Sequence, residues 1–83
     1  MYEVIFSKKA EKFLDKLPQV DRERILLAAE KLRIRPETFI TRMVGEKVYK
    51  FRVGDYRLLV DLDKGNLIVL VITIGHRRNV YKD

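Results

Sequence analysis

Lys50-Phe51-Arg52 is followed closely by Arg57, and a second basic cluster, Gly75-His76-Arg77-Arg78, precedes Tyr81. Cations gathered against their own repulsion suit one kind of chemistry, the holding of an anion. Guanidinium stays protonated and grips phosphate oxygens in pairs, so these residues read as a site for a phosphate, with RNA as its expected source. The chain has no cysteine, which excludes a disulfide and a thiol nucleophile. With one histidine and no clustered carboxylates beside it, no metal and no cofactor is expected.

The charge balance agrees with an anionic partner without identifying it. Eighteen Lys and Arg against 12 Asp and Glu leave a formal charge of +6. Such an excess points to nucleic acid, an acidic protein or a membrane surface, although small proteins also carry it as plain solvated surface. The start, Met1-Tyr2-Glu3-Val4, lacks the features of a signal peptide, and the longest apolar run, Leu67 to Ile74, is too short to span a bilayer. The expectation is a soluble cytoplasmic protein of one domain, 1–83, with no membrane partner.

The elements that position the basic clusters follow from periodicity. Tyr2 to Phe6 is rich in strand formers. Ser7 suits the N-cap of a helix over Lys8 to Leu17, where Ala10, Phe13, Leu14 and Leu17 fall at helical spacing, and Pro18 stops it. A second helix is predicted from about Val20 to Arg35, with Ile25, Ala28, Ala29 and Leu32 on one side and Pro36 at its end. Residues Glu37 to Gly45 form a connector. Three strands close the chain: Val48 to Val53, Tyr56 to Asp61, and Leu67 to Ile74, the last apolar on both faces and therefore central. The predicted fold is α+β, ordered βααβββ, an antiparallel sheet with a helical hairpin packed on one face.

Gly54-Asp55 reads as a two-residue hairpin turn with glycine first. That turn pairs Val53 with Tyr56, Arg52 with Arg57, Phe51 with Leu58 and Lys50 with Leu59. Faces alternate along a strand and partners share a face. Tyr49, Phe51, Val53, Tyr56, Leu58 and Val60 then line the core side. Lys50, Arg52 and Arg57 fall on the other, where long cationic side chains can also splay into water. Like charges directly opposite cost a ladder a few tenths to about 1 kcal/mol, so three cations here favour a functional reason. Leu59 and the outward side of the central strand add apolar surface that is either exposed or covered by another molecule.

The stretches Ala10 to Leu17 (A-E-K-F-L-D-K-L), Tyr49 to Arg57 (Y-K-F-R-V-G-D-Y-R), and Ile74-Gly75-His76-Arg77 ending in Val80-Tyr81 together resemble the RelE/ParE superfamily of toxins, the RelE branch most. The likeness spans nearly the whole chain. It implies a toxin of a toxin–antitoxin module: an endoribonuclease that cuts mRNA in the ribosomal A site and is held inactive by a RelB-type antitoxin. By the same resemblance the catalytic set is Lys50, Arg52, Arg57, Arg77 and Tyr81. Arg52 stands where some members carry a second lysine, which keeps the charge but moves a proton poorly. His76 stands where a lysine or another residue occurs.

Elementary chemistry supports the same set. Metal-free RNA cleavage uses the substrate's own 2′-OH, so the protein must supply a base, an acid and cations for the developing phosphorane. Arg57 and Arg77 suit the charge. Lys50 either holds phosphate or donates a proton. Tyr81 is the candidate base, provided that cations favour its phenolate; its other reading is an aromatic anchor for the tail. Arg78 and His76 are expected RNA contacts or plain surface. Lys8, Lys9 and Lys12, with Lys16, form either a solvated helix face or a grip on ribosomal RNA.

The expected partners are the antitoxin, the ribosome and mRNA, with operator DNA reached only through the antitoxin. Two alternatives stay open. One is a ParE-type poison of DNA gyrase, which shares the fold and cuts no RNA; the other is a catalytically inactive binding member.

Overall fold

Ser7 starts the first helix in the predicted way and also ties that helix to the sheet. Its Oγ accepts from the Ala10 backbone N–H at 3.0 Å and donates to the carbonyl of Ile72, a residue of the last strand. The structure, a computed structural model, describes residues 1–76; Arg77, Arg78 and Tyr81 lie outside the described residues. The elements run β1 (Glu3–Phe6), α1 (Lys8–Asp15), α2 (Gln19–Glu30), β2 (Thr41–Arg42), β3 (Tyr49–Val53), β4 (Tyr56–Asp63) and β5 (Ile68–His76).

The five strands form one sheet in the order β1-β5-β4-β3-β2. The expectation of an antiparallel sheet is corrected at one edge: β1 runs parallel to β5, with Val4 beside Val69 and Phe6 beside Val71. A parallel neighbour requires a long crossover, and the chain between these strands, helices included, provides it. The other pairings are antiparallel, and β2 is a short strand inside what the sequence reads as a connector.

Both helices lie over one face. Ala10 and Leu14 of α1, with Ile25 of α2 and Leu32 just beyond it, pack into a cluster with Phe51, Val53, Leu58, Val60, Val69, Val71 and Ile74 from the sheet. Burying a side chain of Leu or Val size stabilises by about 1.5–3 kcal/mol, so this single cluster is the main source of stability. No helix among the described residues is long and apolar enough to cross a membrane.

The helices end earlier than the periodicity predicts. After Asp15 the N–H groups of Lys16 and Leu17 reach back three residues, to Phe13 and Leu14, closing a tighter last turn. α2 gives way to a 3₁₀ turn over Lys31–Arg33, and Ile34 is extended. Arg35 sits at φ 51°, in the left-handed region, immediately before Pro36. Proline disfavours right-handed helical geometry in the residue before it, and the chain leaves that geometry one residue sooner still.

Candidate functional site

The hairpin between β3 and β4 determines which side chains share a surface. Gly54 has φ +57° and Asp55 does not share a positive φ, the pattern of a type II′ turn with glycine at its first central position. The register is the predicted one: Val53 opposite Tyr56, Arg52 opposite Arg57, Phe51 opposite Leu58 and Lys50 opposite Leu59. Phe51, Val53, Leu58 and Val60 are buried under the helices. Lys50, Arg52 and Arg57 therefore occupy the face without helices.

These three cations converge. They line a pocket of about 200 Å³ together with Phe39 and Thr41. Thr41 arrives there because β2 pairs it with Lys50. Among the described residues no acidic side chain lines the pocket. Arg52 is exposed and Lys50 half-buried, whereas Arg57 retains only 7% of its surface. The picture of long cations splayed into water is thus corrected for Arg57. Desolvating a guanidinium is costly, so a buried arginine beside two further cations makes a ready anion site. Across the sheet Arg57 is flanked by Arg52 on β3 and Gly75 on β5, and the glycine adds no side chain to that row.

Sequence reasoning misses Phe39 and Thr41. Both lie in the connector, where neither strand nor helix periodicity gives a signal. The only hint is Phe39 itself, the single aromatic residue of a stretch that mixes polar and apolar side chains without a period.

His76 takes a different direction. Opposite β4 the register of β5 slips, so that Leu59 faces Thr73 but Val60 faces Val71, and Ile72 is the extra residue of a bulge. Beyond it the alternation is inverted: Ile74 and His76 share the helix side with Val69 and Val71. His76 meets Tyr56 edge-on, with ring centroids 5.5 Å apart and planes at 83°. The structure does not bring His76 to Lys50, Arg52 and Arg57. The carbonyl of this bulge residue, Ile72, accepts from the Ser7 hydroxyl.

Tyr56 is the hub of this other side. Its phenol donates to Asp21 Oδ2 at 2.8 Å, and its ring also meets Phe13 edge-on at 6.1 Å. The hydrogen bond to the Asp21 carboxylate, before any effect of burial, raises the phenol's pKa above the ordinary value. The end of the hairpin is thereby pinned to α2. Lys8, Lys9 and Lys12 are exposed on α1, on the helix side of the sheet, and do not join the pocket. Among the described residues no three His, Cys, Asp or Glu side chains are grouped as a metal site would need.

Residues 4–81 match the family model described as the ParE toxin of the type II toxin–antitoxin system parDE. No curated protein matches the chain in sequence. Among solved structures, the chain is similar to one in the toxin–antitoxin complex RelBE2 of Mycobacterium tuberculosis, with 28% identity, 92% of this chain and 98% of the other covered, and a TM-score of 0.82. The isolated RelE toxin of E. coli is 26% identical over 99% of this chain and 93% of its own, with a TM-score of 0.75. A chain of the archaeal RelE–RelB complex from Pyrococcus horikoshii OT3 is 25% identical over 92% and 94% respectively, also at 0.75.

Proposed function

We propose that this chain, which belongs to the ParE toxin family of type II toxin–antitoxin systems, is a metal-independent endoribonuclease that cuts mRNA in the ribosomal A site. It is a toxin of RelE/ParE fold, and its partner is an antitoxin. We take that antitoxin to be of the RelB type, since complexes of that type are among the similar structures. A ribosomal substrate assigns the toxin to the cytoplasm. The observation that carries the reading is the pocket in which Lys50 and Arg52 flank the buried Arg57.

In this reading the scissile phosphate enters that pocket. The RNA 2′-OH attacks the adjacent phosphorus, the O2′–P bond forms and the P–O5′ bond breaks. Arg57 and Arg52 bind the non-bridging oxygens and offset their growing charge, an effect of about 3–4 kcal/mol per well-placed donor. Lys50 delivers a proton to the departing O5′. Arg77 and Tyr81, outside the described residues, complete the set by their sequence positions. Arg77 adds a further charge on the phosphoryl oxygens, and Tyr81 takes the proton of the 2′-OH.

A second reading has a specific observation in its favour, the ParE description of the matching family model. A gyrase poison would use the same basic face to dock on protein and would leave RNA intact. Mapping of mRNA 5′ ends in a cell-free translation reaction separates the two. New ends that require translating ribosomes support the interferase. Intact mRNA together with gyrase-dependent DNA breaks supports the poison and refutes the interferase.

A further inference from the structure

Among the described residues, Phe39 is the one aromatic side chain that borders the cationic pocket. It directly follows a single 3₁₀ turn, Pro36–Thr38, whose first residue is fully buried. Hydrogen bonds fix that turn. The Phe39 N–H donates to the Pro36 carbonyl at 3.0 Å, and the N–H and hydroxyl of Thr38 both donate to the Arg35 carbonyl, at 3.0 and 2.8 Å. The backbone under the ring is thus held before any ligand arrives. The ring itself is not spent on folding: its neighbour Ile40 packs against the core, whereas Phe39 keeps 43% of its surface exposed. A lone exposed apolar side chain is ordinary. This one is set among charges of a single sign. Lys50, Arg52 and Arg57 share the pocket with it, and it also borders an adjoining cavity of about 620 Å³ whose charged borders are Arg24, Lys31 and Arg52. Among the described residues no carboxylate borders either space.

We propose that Phe39 is the stacking platform for an unpaired nucleobase beside the scissile phosphate, and that it biases which bases the toxin cuts next to. The proposal rests on the RNA reading above. An aromatic ring between two cationic surfaces matches what single-stranded nucleic acid offers: the cations meet successive phosphates, and the ring takes the base between them. Every base has a π face, so the platform accepts all four, and a purine covers more of it than a pyrimidine does. The gain is also positional. A base held on a fixed ring stops the neighbouring phosphate from shifting within a pocket of about 200 Å³, and orientation of the reacting groups is a large part of such catalysis. A protein partner would use the ring differently, as an apolar anchor whose shape matters and whose π face does not.

The test is single-turnover cleavage on ribosomes with an empty A site, at sub-saturating toxin. The mRNA carries a purine, a pyrimidine or an abasic residue at each nucleotide flanking the cut in turn. At one of these nucleotides the wild type is expected to cut the purine strand fastest and the abasic strand about tenfold or more slowly. Phe39→Leu keeps an apolar side chain without a π face, and it is expected to cut all three strands at the abasic rate. Phe39→Trp is expected to restore the order, a rescue that a folding defect in the leucine variant cannot imitate. Wild-type rates that ignore the base at both nucleotides overturn the stacking, as does a purine preference that Phe39→Leu keeps. In either case RNA is still cut, so the RNA reading stands and the ring is left to a protein contact. No cleavage of any strand by the wild type overturns that reading and the stacking with it.

Discussion

Arg52 and Arg57 face each other across the β3–β4 ladder, the second pair in from the turn, and both line the same pocket. An opposed pair of like charges costs a hairpin up to about 1 kcal/mol, and one glutamate would remove that cost. Arg52→Glu is therefore expected to raise the melting temperature by a few degrees. The same change is expected to lower RNA cleavage by about 10²-fold or more, because it places a carboxylate where phosphate binds. Thermal unfolding and single-turnover cleavage of the same preparation check both halves. A variant that loses stability would show that the pair is part of the structural framework.

Ser7→Ala removes two bonds at once. Loss of the N-cap costs about 1 kcal/mol, and leaving the Ile72 carbonyl without its donor adds about 1–2 kcal/mol. The expected total of about 2–3 kcal/mol exceeds that of an ordinary cap. Denaturant unfolding measures it, and a loss below 1 kcal/mol would mean that the bulge carbonyl finds another partner.

Gly54→Ala tests the turn. A methyl group there would meet only Arg24 Nη1 at 3.5 Å, an ordinary contact, so the cost comes from the backbone. At φ +57° an L-residue loses about 1–2 kcal/mol. Since this turn places Arg52 opposite Arg57, cleavage is expected to fall along with stability in the variant.

Tyr56→Phe keeps the ring contacts with Phe13 and His76 and deletes the bond to Asp21. At neutral pH it is expected to cost about 1 kcal/mol. The pH dependence follows from the raised phenol pKa. The folded state holds the phenolic proton more tightly than the unfolded chain, whose phenol titrates near pH 10. The bond's contribution is thus complete below about pH 10 and is lost as pH rises through the folded-state pKa. Wild type should lose stability faster than Tyr56→Phe as the pH rises above about 10. Parallel curves would contradict the assignment.

Much of this site was legible in the chain, and its limits have physical causes. Gly54-Asp55 specified the hairpin register, because a two-residue turn leaves one pairing, and that pairing put Lys50, Arg52 and Arg57 on one face. Ser7 was readable as a cap from its position alone. The partner of β1 was not readable, since alternation within a strand says nothing about a parallel neighbour some sixty residues away in sequence. Nor was the direction of His76. A period of two carried through β5 assigns Ile74 and His76 to the wrong face, and only the bulge at Ile72 corrects it. The burial of Arg57 and the arrival of Phe39 and Thr41 beside it depend on how the connector runs along β3. That packing leaves no periodic trace.

The most direct test of the central claim is single-turnover cleavage of mRNA on ribosomes with an empty A site, comparing wild type, Arg57→Lys and Arg57→Ala. If the buried guanidinium carries charge on the transferring phosphoryl group, Arg57→Ala falls by about 10²–10³-fold, and Arg57→Lys recovers part of the loss through its charge without the paired contact. Cleavage by Arg57→Ala at the wild-type rate, or no cleavage by the wild-type toxin, would contradict the account.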